Sequence, residues 1–184
     1  MSMFPIASTG NAGSGGFSSI SFSSIPSTFT HLQLRFFAKD NLTSGNVNNY
    51  CRFILNGDGG ANYTNHSLFN NYQTTTVTSL GFANETGMYQ GDHPTSQSGV
   101  VANAFGVYII DILDYTNTNK YKTTKFLIGS DQNGQGSVRL GSALWQSTSA
   151  INSITIYPIN GATAFTQFSR ADLYGISTSN ATGA

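Results

Sequence analysis

Charge is what this sequence has least of: Asp, Glu, Lys and Arg make up 9% of its 184 residues, against about 25% in an ordinary soluble domain. The few charges also cancel, 8 basic against 8 acidic, so there is no surplus of either sign. That argues against nucleic acid and against an anionic membrane as partners, because both are bound through clustered Lys and Arg. Cysteine occurs once, as Cys51, so no intrachain disulfide can form and the fold must rest on an ordinary core. No stretch reaches the roughly 18 apolar residues of a membrane span. The N-terminus lacks the charged head and apolar run of a signal peptide, so synthesis in a cytoplasm without export by that route is expected. Helical spacing of apolar residues at i, i+3, i+4 and i+7 is absent as well, and helix should be scarce.

What replaces charge is Gly, Ser, Thr and Asn. A surface of hydroxyls and amides is cheaper to desolvate than one of carboxylates and ammoniums, and zero net charge removes the repulsion that keeps small domains apart. Self-association into a homo-oligomer is the expected tendency. At 19.6 kDa the chain fits one domain with a real core. Residues 1–16 are Gly- and Ser-rich and read as a flexible N-terminal arm, with an apolar cluster of Met3, Phe4 and Ile6 suited to docking on a capsid or sister subunit. Residues 177–184 read as a C-terminal tail.

Between them, over 17–176, short runs of β-branched and aromatic residues are punctuated by Gly, Asn, Asp and Pro, the rhythm of an all-β antiparallel β-sandwich of jelly-roll type. The strands expected are 17–25, 30–38, 50–56, 63–69, 77–83, 103–114, 121–130, 136–147, 151–158 and 164–176. Leu32, Leu34 and Phe36 alternate with His31, Gln33 and Arg35, giving one apolar and one polar face. Residues 105–113 are apolar at nearly every position, as in a central strand covered on both faces. The segment 86–99 is the longest expected loop.

Few residues suggest chemistry. His31, His66 and His93 lack the spacing that sets two imidazoles on one metal, and His31 and His93 read as surface residues. Cys51 reads as a buried small hydrophobe. Asp111 and Asp114 are three apart, which on a strand sends them to opposite faces and away from one sugar, so Asp114 is better placed opening a turn. Asn56-Gly57-Asp58 and Asp131-Gln132-Asn133-Gly134 lack the full ligand set of a calcium loop. No catalytic residue, metal site or cofactor is indicated. Among the aromatics, Tyr72 and Tyr89 lie in or near expected loops, where they could stack on a sugar.

Six segments resemble a known module. Phe22-Ser23-Ser24-Ile25-Pro26-Ser27-Thr28-Phe29-Thr30-His31-Leu32-Gln33-Leu34-Arg35 is similar to its start. Arg52-Phe53 through Asn56-Gly57-Asp58, then Asn62-Tyr63, is similar to a following segment, and Phe105-Gly106 leading to Ile110-Asp111-Ile112-Leu113-Asp114-Tyr115-Thr116-Asn117-Thr118-Asn119-Lys120-Tyr121-Lys122-Thr123 is similar to its centre. Leu144-Trp145, Ala150 to Ile154 and Ala171-Asp172-Leu173-Tyr174-Gly175-Ile176 complete the likeness over about 17–176. The module is found in bacteriophage virion proteins, both head-decoration and tail-fibre-like, many from marine and cyanobacterial phages. The resemblance implies a lectin-like jelly roll exposed on a virion, usually trimeric, with structural motifs and no catalytic residue. With only a short arm ahead of it, the chain suits a capsid decoration or cement protein that contacts other virion proteins such as the major capsid protein. The alternative is the carbohydrate-binding, receptor-recognising head of a tail fibre, with a host-surface glycan as ligand.

Overall fold

Leu32, Leu34, Phe36 and Ala38 are buried, while Arg35 and Phe37 between them are exposed, so the alternation along β3 (His31–Ala38) fixes which face meets the core. The same period governs Gly106–Ile112 and Lys122–Asp131. The computed structural model describes residues 2–45, 48–70, 76–133 and 136–177. Within them lie β1 (Ser2–Ser8), β2 (Ile20–Phe22), β3, β4 (Asn48–Leu55), β5 (Tyr63–Asn70) and β6 (Val77–Glu85). β7 (Met88–Pro94), β8 (Gly106–Ile112), β9 (Lys122–Asp131), β10 (Gly136–Trp145), β11 (Ile154–Pro158) and β12 (Arg170–Ser177) follow. Among the described residues there is no helix.

The strands form an eight-stranded sheet, in the order β1-β12-β3-β8-β9-β10-β5-β6, and a four-stranded sheet, β2-β11-β4-β7, with antiparallel neighbours throughout. The chain is thus an all-β antiparallel sandwich, as its residue rhythm predicts. Successive strands 1 and 2, 3 and 4, 7 and 8, and 11 and 12 each cross from one sheet to the other, a wiring compatible with a jelly roll. The β5–β6 and β9–β10 hairpins extend the larger sheet. Between the sheets, Phe36 packs on Tyr108 and edge-on to Phe165, with ring centroids 5.3 and 5.0 Å apart, and Phe53, Leu55 and Ile156 close the layer from the smaller sheet. Aromatic pairs at such distances add roughly 0.5–1.5 kcal/mol each beyond area burial.

Four expectations need correction. Residues 2–8 are not part of a loose arm: β1 pairs with β12 from Ser2↔Ser177 to Ser8↔Asp172. Phe4 stacks on Phe29 at 5.8 Å and Ile6 packs on the core. Gly- and Ser-rich composition describes 9–16 better, yet even there Ala12 is buried and bonds backbone to backbone with Ser169. Ordering of β1 is offset by the ladder it completes on β12, which sequence texture does not display. Second, the expected loop 86–99 contains β7, paired with β4 through a register shift at Asn49/Tyr50. Its inward residues Asp92 and His93 are polar and hide the pattern.

Third, His93 is fully buried rather than at the surface, because Asp40 and Tyr108 satisfy both ring nitrogens. Fourth, β8 is central but covered on one face only. Tyr108, Ile110 and Ile112 face the core, whereas Val107 is exposed on the outside of the sheet. The expected tail beyond Ser177, Met1 and Tyr72 lie outside the described residues.

Candidate functional site

Along β10, Ser137, Arg139 and Ala143 point inward, while Val138 and Leu140 point out. The alternation that builds the sheet therefore puts a guanidinium on the inner side, with Arg139 only 4% exposed. Its Nε donates to Asp92 Oδ2 at 3.1 Å, and its Nη1 donates to Ser67 Oγ at 3.1 Å. Its guanidinium carbon lies over two rings, 4.2 Å from the Phe69 centroid and 5.6 Å from that of Tyr50. Both are cation–π distances. The Nη2 group has no hydrogen-bond partner among the described residues.

Arg139 forms part of the wall of a groove of about 290 Å³ where β6 overhangs the edge of the smaller sheet. Tyr50, Tyr89, Leu80, Phe82 and Ile159 supply mostly apolar walls, with Glu85 and Asn160 beside them. Glycine is required at one point: a Cβ on Gly91 would lie 1.9 Å from the Tyr50 ring, so only a hydrogen there lets the tyrosine lie flat against β7. The Tyr89 hydroxyl is held by Thr86 Oγ1 at 2.8 Å, which fixes that ring too.

A second cluster looks catalytic and is sealed. Asp40 Oδ2 lies 3.1 Å from His93 Nε2, and His93 Nδ1 lies 2.6 Å from the Tyr108 hydroxyl. Asn49 Nδ2 donates to Asp40 Oδ2 at 2.6 Å, and Cys51 bonds to Tyr108. All these residues are fully buried. Burial pushes the Cys51 thiol far above its ordinary range and raises Tyr108 as well, the reverse of what a nucleophile needs. The cluster ties β4, β7 and β8 together.

The segments that resemble virion modules hold one end of the sandwich. Asn56 accepts hydrogen bonds from the Asn152 and Ser153 amides and donates to Ala150 O. Asp58 accepts from Trp145 Nε1 at 2.7 Å and from Asn62 Nδ2 and the Gly60 amide. Burial works to raise the Asp58 carboxyl, but those three donors outweigh it and hold it below its ordinary value. Tyr63 donates to Asp58 O and accepts from the Leu55 amide, and burial lifts its phenol to about 12. Asp114, at φ 46°, opens a turn, as its residue type predicts. It pairs with Lys120 and His31, and the Lys120 hydrogen bond lowers its pKa. Lys122 Nζ donates to the carbonyls of Asn117, Lys120 and Thr148. Tyr115 donates to Pro26 O.

The residues singled out from sequence are thus scattered. Met3, Phe4 and Ile6 lie on β1 at one edge of the larger sheet, and Tyr89 lies in the groove near its other edge. Asp111 accepts from Gln33 Nε2 at 2.8 Å on the outer face, apart from the Asp114 turn. Arg139, Tyr50, Leu80 and Phe82 were not foreseen as site residues. The one sequence signal for them was an arginine at the inward register of an alternating strand. Among the described residues no group of three or more His, Cys, Asp or Glu is placed to hold a metal ion. Comparison with protein families, with curated proteins and with solved structures finds no match to this chain.

The outer face of the eight-stranded sheet carries adjoining exposed apolar residues. Ile109, Leu127, Leu140 and Leu68 are directly paired neighbours across β8, β9, β10 and β5. Next to that row run Phe37, Val107 and Val138, interrupted only by Gly129. Leu127 is 48% exposed, Leu68 52% and Val138 58%. Contiguous apolar residues on this scale mark contact surfaces more often than free surface.

Proposed function

We propose that this chain is a non-enzymatic structural protein of a bacteriophage virion, a capsid decoration or cement subunit that assembles by burying the outer face of its larger sheet against further copies of itself. The observation that carries the reading is the apolar row Ile109–Leu127–Leu140–Leu68 with its neighbours on the outside of a fully formed sandwich. The core does not need these side chains. β8, β9 and much of β10 alternate between buried and more open positions, so polar residues at their outer positions would have built the same sandwich. With 9% charged residues and no net charge, no overall repulsion keeps a second copy away.

The virion setting comes from the likeness of the sequence segments to phage surface modules, and what those segments do is in keeping with it. Asn56, Asp58, Tyr63, Tyr115 and Lys122 spend their polar groups on the chain's own backbone and side chains, which is scaffold work. Such a protein contributes surface rather than chemistry. Imaging of phage particles with the protein labelled is the test. Regular copies on the capsid, with the eight-stranded sheets facing one another, are expected. Particles carrying none, or copies whose outer faces point to solvent, would refute the reading.

A further inference from the structure

From the turn geometry we infer that Asn160 is a site of spontaneous covalent modification, where the Asn160-Gly161 pair closes to a succinimide in the folded protein and reopens as a carboxylate. The inference is independent of the assembly reading, since Asn160 lies in the groove wall and not in the apolar row of the outer face.

An asparagine followed by glycine is prone to this reaction, because glycine puts no side chain in the way of its own amide nitrogen. The sequence holds three such pairs, Asn56-Gly57, Asn133-Gly134 and Asn160-Gly161, and Gly134 lies outside the described residues. The other two are matched in backbone. Asn56 and Gly57 have φ of 52° and 71°, Asn160 and Gly161 of 53° and 91°. Each pair fills the two central positions of a tight turn, closed by the Asp58 amide on Leu55 O at 2.9 Å and by the Ala162 amide on Ile159 O at 3.2 Å. In both turns the closing bond uses the amide after the glycine, not the glycine's own.

The side chains differ. Asn56 Nδ2 donates to Ala150 O at 2.7 Å, and its Oδ1 accepts from the Asn152 and Ser153 amides at 2.8 and 3.2 Å. Swinging its amide carbon toward Gly57 N breaks all three bonds. Asn160 is exposed, and its side-chain amide makes no hydrogen bond to the described residues. The backbone around it is anchored, with Asn49 Nδ2 on Ile159 O at 2.8 Å and Asn41 Oδ1 accepting from the Thr163 and Ala164 amides. The turn is held, and the side chain in it is free.

In the reaction the Gly161 amide gives its proton to hydroxide, and its nitrogen attacks Asn160 Cγ. The N–Cγ bond forms, the Cγ–Nδ2 bond breaks, and ammonia leaves with a proton from water. Water then opens the five-membered imide at either carbonyl, leaving an aspartyl or an isoaspartyl link. No electrons are exchanged with another reagent. The product adds one negative charge to a chain whose 8 acidic and 8 basic residues cancel, and sets it in the same groove wall as Glu85.

Holding the folded protein at mildly alkaline pH, beside a parallel sample in urea, tests this by peptide mapping and ion exchange. In the folded sample the peptide carrying position 160 should gain the mass difference between a hydroxyl and an amide, and an acidic form should grow at the same rate. Position 56 should convert at least about tenfold more slowly, because three hydrogen bonds must break first. In urea, where both side chains are free, the two rates should come together. Asn160→Asp should elute with the acidic form from the start, gain no mass at that position and melt like the parent. Position 160 left unchanged in the folded sample while it converts in urea would overturn the inference. Equal rates at 56 and 160 in the folded protein would overturn it too.

Discussion

Removing one carboxylate, in Asp58→Ala, should unfasten the end of the sandwich where the turn between β4 and β5 meets β10. Asp58 Oδ2 accepts the indole N–H of Trp145 at 2.7 Å, and Trp145 is buried. A hydrogen bond to a charged acceptor contributes about 1.5–3 kcal/mol, and an indole N–H left unpaired costs much of that again. The bonds to Asn62 and the Gly60 amide are exposed and add little. The expected loss is about 2–4 kcal/mol, a large share of a typical domain stability of about 5–15 kcal/mol.

Urea unfolding followed by the fluorescence of Trp145, the only tryptophan, reads it directly, as a midpoint lowered by about 1–2 M. The direction with pH follows from the lowered carboxyl. Because the folded pKa lies below the ordinary 3.8, the contribution of the charge is fully present above 3.8 and is lost as pH falls through the folded value. Asp58→Asn, which keeps the shape and drops the charge, should therefore be weaker than the parent near neutrality and converge with it in acid. An Asp58→Ala midpoint unchanged from the parent would refute the reasoning, as would an Asn variant whose deficit persists unaltered to about pH 2.

Other expectations follow from single contacts. Cys51, fully buried and with its thiol pushed far up, should react with a disulfide reagent only as fast as the protein unfolds, so labelling and Trp145 fluorescence should track one another across urea; prompt labelling of native protein would contradict this. Lys122→Met strands the three carbonyls that Lys122 Nζ serves and should lower the melting temperature by about 10 °C, from a loss of about 3–5 kcal/mol. Deleting residues 1–8 removes β1 and bares the β12 edge, so calorimetry should show a lower melting temperature, whereas a merely flexible arm would leave it unchanged.

Much of the fold is legible because a sheet leaves a local signature. Alternation in 30–38 and the turn-forming Asp114 place a strand and a turn near their final bounds. What escaped was set at long range. β1 is a strand because β12, some 170 positions later, presents an open edge to it, and no local pattern records that. β7 reads as loop because Asp92 and His93 point inward, where Arg139, Asp40 and Tyr108 receive them. The groove shows the same division. Tyr89 is visible as a loop-like aromatic, but its companions Tyr50, Phe82 and Arg139 come from three other strands. The apolar run 105–113 has the pattern of a doubly covered strand, and within one chain it is covered on one face only. The outer half of that cover is what a second copy supplies in the proposed assembly.

That last point is open to a direct measurement. Sedimentation velocity of the isolated protein at micromolar concentration, beside Leu127→Lys and Leu140→Glu variants, asks whether the outer face holds copies together. Both residues are about half exposed and outside the core, so each variant should fold and melt like the parent. The account predicts a homo-oligomer, a trimer by likeness to phage surface modules, that falls to monomer in either variant. A parent that sediments as a clean monomer, or an oligomer that survives both charged substitutions, would contradict it.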